Sequence, residues 1–153
     1  MRICRSLLLL ACLLPLALSA QNARVVTRVT KDPAPAWKTW KSDGLAMNYP
    51  AQWILEEPAQ GDTLVIIRKE VAEETDAATA PKLIVQAMPE GGHMATGRTE
   101  RHAEHDGLAL KTMVEIVNEG SRTFRLTYTA PEAKYEEFLY MAEAMMNSFA
   151  TGD

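Results

Sequence analysis

The chain's three histidines lie close together, at His93, His102 and His105, with Met88 and Met94 nearby. Imidazole and thioether groups suit copper and zinc, so a metal or small-ligand site in the His93–His105 region is the first chemistry this pattern raises. The spacing argues against it. If residues 98–105 form a strand, side chains alternate between its faces, and His102 and His105 project to opposite sides. Only a helix would bring such an i, i+3 pair together. The histidines therefore read as solvated, and no residue is assigned as a metal ligand.

Glu56, Glu57 and Asp62 are the candidates for paired carboxylates in acid–base work. Adjacent acids on a strand diverge, however, and charge beside a turn is ordinarily solvated. Ser42, Ser121 and Ser148 lack the glycine-flanked setting of a nucleophile elbow, and neither a phosphate-binding loop nor a dinucleotide fingerprint is present. Trp37, Trp40 and Trp53 read as core and edge packing before a ligand platform. Met141, Met145 and Met146 read as the core of a helix or its margin. No catalytic residue, no cofactor-binding residue and no cofactor is assigned, and the expected protein is not an enzyme.

The elements that would position these residues belong to one domain, since 153 residues are too few for two sizeable cores. The 47% hydrophobic and 24% charged content is ordinary for a globular chain. A net charge of −4 argues against general phosphate-backbone binding, so no nucleic-acid partner is expected. Residues 1–20 read as a signal peptide. Arg2 and Arg5 precede an apolar run from Leu7 to Leu18, and Ser19-Ala20 offers a small-residue cleavage point. The run is short for a membrane span, which needs about 20 residues. Leu9-Leu10-Ala11-Cys12 loosely resembles a lipoprotein processing site, the alternative in which Cys12 is lipidated. Cleavage near Ala20 would remove two arginines, taking the charge from −4 to −6, and both cysteines, Cys4 and Cys12. The expected product is periplasmic or secreted, has no disulfide and has no membrane span.

Residues 21–36 read as a tail or linker, although Val25, Thr27 and Val29 alternate well enough for an edge strand. A hairpin is predicted from Trp37 to Tyr49 about Ser42-Asp43-Gly44, stopped by Pro50, which cannot donate to a ladder. Trp53–Glu57, Thr63–Lys69 and Lys82–Met88 are further strands, the second apolar on both sides as an interior strand should be. Residues 70–81 read as a solvated loop and Pro89–Gly92 as a break. Arg98–His105 is a weak, polar strand. Leu108–Val117 and Arg122–Thr129 pair through Asn118–Ser121.

Thr129-Ala130-Pro131-Glu132 fits a capping box for a final helix. In that helix Tyr135, Phe138, Leu139, Ala142, Met145, Met146 and Phe149 recur at helical spacing, with Gly152 as terminator. Such a stripe must land on a flat apolar surface, and the preceding hairpin is expected to supply it. Phe124, Leu126 and Tyr128 alternate with Arg125, Thr127 and Thr129, while Leu110, Val114 and Ile116 point one way and Lys111 and Glu115 the other. The predicted class is α+β: an antiparallel β-sheet with a C-terminal amphipathic helix packed on one face.

Gly44-Leu45-Ala46-Met47-Asn48-Tyr49-Pro50-Ala51-Gln52-Trp53 resembles the opening of the PsbP/Mog1-like domains. Leu126-Thr127-Tyr128-Thr129-Ala130-Pro131 with Tyr135, leading to Asn147-Ser148-Phe149, resembles their closing strand and helix. The resemblance runs from Trp37 to Phe149, within a domain placed at residues 37–150. It implies an antiparallel sheet sandwiched with helices, usually non-enzymatic and used for docking and assembly. Many members carry a helix after the central strands, where this chain has the glycine-rich stretch from Pro89 to Gly97. One sheet face is therefore expected to be less covered. The leader lacks the character of a chloroplast transit peptide, and nothing in the sequence supports a photosystem role.

Two functions follow as expectations. The first is an exported, non-catalytic binding or assembly module whose partner is another exported or envelope protein. The alternative is a periplasmic small-ligand or metal-binding protein using the His93–His105 region.

Overall fold

Trp37–Ser42 (β1) and Leu45–Pro50 (β2) form a hairpin in which Trp40 faces Met47. Asp43 and Gly44 join them with φ of 49° and 73°. Two consecutive left-handed residues are what a type I′ turn requires, and its twist matches that of the flanking strands. The predicted turn and the stop at Pro50 are both found. The computed structural model describes residues 34–70, 79–89 and 95–151. The leader, the tail as far as Pro33, His93, Met94 and Gly152 lie outside the described residues, as does most of the loop predicted at 70–81.

A six-stranded antiparallel sheet follows. It is built from β3 (Trp53–Glu56), β4 (Thr63–Lys69), β5 (Lys82–Ala87), β6 (Gly97–His105), β7 (Leu108–Glu119) and β8 (Arg122–Pro131) in the spatial order β3-β4-β5-β8-β7-β6. β4 is an interior strand, as its doubly apolar centre implies, and β6 is an edge strand with every residue exposed. A second Asp-Gly turn, Asp106 at φ 50° and Gly107 at φ 77°, joins β6 to β7. The chain closes with α1 (Glu132–Asn147) and β9 (Ala150–Thr151), which pairs with β2 to complete a three-stranded sheet, β1-β2-β9.

One contiguous core joins both sheets and the helix. Phe124, Leu126 and Tyr128 of β8 are fully buried beneath α1, whose buried stripe is Tyr135, Phe138, Met141, Ala142, Met145 and Met146. Side chains of this size contribute about 1.5–3 kcal/mol each on burial. Edge-on aromatic pairs fix their orientation: Phe124 with Phe149 at 5.2 Å and Trp53 with Phe138 at 6.0 Å. The observed architecture is the predicted α+β one.

Three local expectations are corrected. The capping box does not form. β8 runs straight into the helix, Pro131 occupies the N-cap without a side-chain bond, and the Thr129 hydroxyl meets Thr112 Oγ1 across the sheet at 3.0 Å. Strand pairing outcompetes the cap for that hydroxyl. The helix also ends before Gly152, at Asn147. The Ser148 hydroxyl accepts from the amide of Asn48 at 2.9 Å and donates to the carbonyl of Met145 at 2.8 Å, turning the chain back along β2.

The third correction concerns β7. Register places Lys111 opposite Ala130, Met113 opposite Tyr128, Glu115 opposite Leu126 and Val117 opposite Phe124. Directly paired residues share a face, so these four lie on the helix side. Leu110, Val114 and Ile116 belong to the opposite, outer face.

Candidate binding face

The outer face of the six-stranded sheet carries no described element. Its central row, read across the strands, is Thr99, Val114, Thr127, Ile84, Ile66 and, at the β3 edge, Glu56. The row on one side is Gly97, Ile116, Arg125 and Gln86. The row on the other is Arg101, Thr112, Thr129, Lys82, Arg68 and Ile54. Each strand thus gives its helix-side residues to the core and its alternate residues to an outer surface with an apolar centre and basic margins.

A cavity of about 570 Å³ opens on this surface. Its floor is Ile84, Val114, Ile116 and Thr127, and Arg101 and Arg125 stand at its sides. Both Nε and Nη2 of Arg125 donate to Gln86 Oε1, at 3.1 and 2.6 Å, which orients the guanidinium along the sheet. Arg68 is paired with Glu56 at 2.7 Å. Among the described residues, neither Arg101 nor Arg125 has a carboxylate partner.

The helix side is different. There Arg98 bridges Glu115 at 2.8 Å and Glu143 at 2.9 Å, and Lys111 bridges Glu100 at 3.2 Å and Glu136 at 3.4 Å. These pairs tie β6 and β7 to α1. The bond to Glu115 holds the Arg98 guanidinium above its ordinary pKa, and Lys111, then Tyr135, hold the Glu100 carboxyl below its own. Partial burial works to lower the Lys111 ammonium, but its two carboxylates outweigh that and raise it. Tyr135 Oη donates to Glu100 at 3.0 Å, and Tyr128 Oη donates to the carbonyl of Tyr135 at 3.1 Å. Burial first, then neighbouring negative charge, pushes both phenols upward, so they are neutral donors. The network is a fastening between layers.

The described residues among those singled out by type are dispersed. His102 pairs in register with Lys111 on the helix side and lies 3.6 Å from Glu132, whereas His105 lies on the outer face, 3.6 Å from Asp106. Among the described residues no three His, Cys, Asp or Glu side chains converge on a metal-sized position. Met88 lines the outer cavity. Glu56 and Glu57 diverge, one to Arg68 and the other accepting from Trp40 Nε1 at 2.6 Å. Asp62 offers its backbone carbonyl to the amide of Ala87. Ser42 borders a smaller cavity of about 330 Å³ beside Trp40, and Ser121 is an exposed turn residue. Trp40 and Trp53 are buried and Trp37 is exposed, while Met141, Met145 and Met146 are core. The sequence reading missed Arg101, Arg125 and Ile84 as members of one surface. The alternation of β8 was visible, but the long-range pairing of β5 with β8 that sets Ile84 beside Thr127 was not.

No helix among the described residues is long and apolar enough to cross a membrane. No protein-family model and no curated protein matches the sequence. Solved structures do match in shape. A crystal structure of a Bacteroides thetaiotaomicron protein superposes with a TM-score of 0.55 at 14% identity, covering 76% of this chain and 48% of that one. The chain therefore spans about half the length of that protein. The solution structure of cyanobacterial PsbP from Synechocystis gives a TM-score of 0.47 at 11% identity, covering 78% of this chain and 94% of that one. The likeness to the Bacteroides protein is one of fold alone.

Proposed function

We propose that this chain is an exported, non-catalytic binding or assembly module that docks another exported or envelope protein on the outer face of its six-stranded sheet. Residues 1–20 act as a signal peptide, residues 21–36 as a tail, and residues 37–150 as the binding domain. The observation that carries this reading is the outer face itself. Ile66, Ile84, Val114 and Ile116 are only partly buried there, with no described element over them. Contiguous exposed apolar surface rimmed by polar groups is characteristic of interaction sites. Affinity isolation from native extract tests it. A partner recovered with the wild-type chain is expected to be lost with Val114→Glu or Ile116→Glu and retained with Tyr140→Glu on the helix. Equal recovery with all three variants, each confirmed folded by circular dichroism, would contradict the reading.

A second reading keeps the alternative of a small ligand. It is favoured by the cavity, which Thr99 and Arg101 of the His93–His105 region border. A ligand held there raises the melting temperature of the native chain, and Thr127→Trp, which fills the cavity, abolishes that rise.

A further inference from the structure

We infer that the occupant of the outer face is an acidic, amphipathic segment of a partner protein, held by its apolar side on Ile84, Val114 and Ile116 and by its carboxylates at Arg101 and Arg125. The inference rests on the docking reading above and adds the chemistry of the partner. It follows from an asymmetry of charge. The chain as a whole carries −4, yet among the described residues of the outer face Arg101 and Arg125 have no carboxylate partner, and the one acid there, Glu56, is taken by Arg68. Among the described residues, four acids lie along α1 instead, at Glu132, Glu136, Glu137 and Glu143.

The basic groups are also placed on both sides of the apolar row. Arg125 and the row that contains Thr129 are separated by four residues along β8, roughly 13 Å. That gap is close to the diameter of a helix with its side chains, about 10–12 Å. From β6 to β4 the row crosses four strand spacings, roughly 19 Å. An amphipathic segment lying in this trough sets apolar residues on the floor and acids against either margin. Complementary charge fixes its register and speeds its encounter. Other occupants fit less well. The chain's own tail, residues 21–33, carries Arg24, Arg28 and Lys31 against Asp32, the same sign as the face. A second copy docked face to face would oppose two basic margins.

The test uses the mature chain and a fluorescein-labelled acidic peptide of about 13 residues, long enough as a helix to cross the trough, with leucine on one face and glutamate on the other. Its lysine counterpart and dodecanoate serve as comparison probes. The acidic peptide is expected to bind saturably, to shift the amide resonances of Ile84, Val114 and Ile116, and to weaken about tenfold or more in R101E/R125E and with added salt. Binding of the lysine peptide with equal affinity, or no loss in R101E/R125E, overturns the inference. So does dodecanoate binding at the same resonances with the peptide silent, which would assign the face to a small amphiphile. If neutralising Glu73, Glu74 and Asp76 by E73Q/E74Q/D76N abolishes the effect of R101E/R125E, the face belongs to the chain's own acids and the inference likewise fails. Failure of the docking reading is separable, because partner recovery that depends on Val114 and Ile116 but not on Arg101 and Arg125 leaves docking intact and removes only the acidic partner.

Discussion

Two tyrosines show how single residues hold the layers together. Tyr128 is fully buried yet satisfied, because its hydroxyl reaches the carbonyl of Tyr135 at the start of the helix. Tyr128→Phe removes one buried hydrogen bond and is expected to cost about 0.5–1.5 kcal/mol in urea denaturation, whereas Phe124→Ala, which empties a fully buried ring site, costs about 3–5 kcal/mol. The pH dependence has two arms. Glu100 has its pKa lowered in the folded chain, so its contribution is present above the ordinary value of 4.5 and is lost as pH falls below it. The phenols of Tyr128 and Tyr135 are raised above 10.0, so their contribution is present below that value and is lost as pH rises beyond it. Urea midpoints from pH 3 to 11 should therefore fall at both ends. Glu100→Gln makes the acid arm shallower, Glu137 held low by Lys134 supplying part of the rest, and Tyr128→Phe with Tyr135→Phe does the same to the alkaline one; an alkaline arm unchanged in that double variant would contradict the assignment.

At the scale of elements, short-range chemistry was readable and competition between partners was not. Asp43-Gly44 announces its hairpin because few other dipeptides accept two left-handed residues, and Asp106-Gly107 carries the same signal, though it was not singled out in the sequence. A Cβ added at Gly44 meets nothing within 4 Å. Gly44→Ala therefore reports backbone strain alone, and about 1–2 kcal/mol of destabilisation is expected from thermal unfolding. The helix was legible from its period, since Tyr135, Phe138, Ala142, Met145 and Met146 are all buried. Its start was misread because Thr129 has two possible partners, the helix amides and Thr112, and only the strand register decides between them. Thr129→Ala should thus cost no more than Thr112→Ala, and the double variant little more than either, as expected for one shared hydrogen bond. Costs that simply add would mean that Thr129 makes a separate capping contribution. Leu110, Val114 and Ile116 were legible as one face of a strand but not as the outer face, because a one-residue change of register exchanges the two sides.

For the molecule as a whole, the two sides of the large sheet have different fates. One is sealed by α1 and the three-stranded sheet, with Tyr135, Phe138 and Phe149 buried between them. The other keeps an apolar centre flanked by Arg101 and Arg125. On the proposed reading, that division suits a scaffold whose described candidates for chemistry are scattered, paired or buried and whose outer surface serves for contact. In-cell photocrosslinking tests this most directly, with a photoreactive residue placed singly at Thr127 on the outer face or at Tyr140 on the exposed side of the helix. A discrete protein adduct from position 127 and none from position 140 is the predicted result. Adducts from position 140 alone, or equally from both, would contradict the assignment of the outer face as the docking surface.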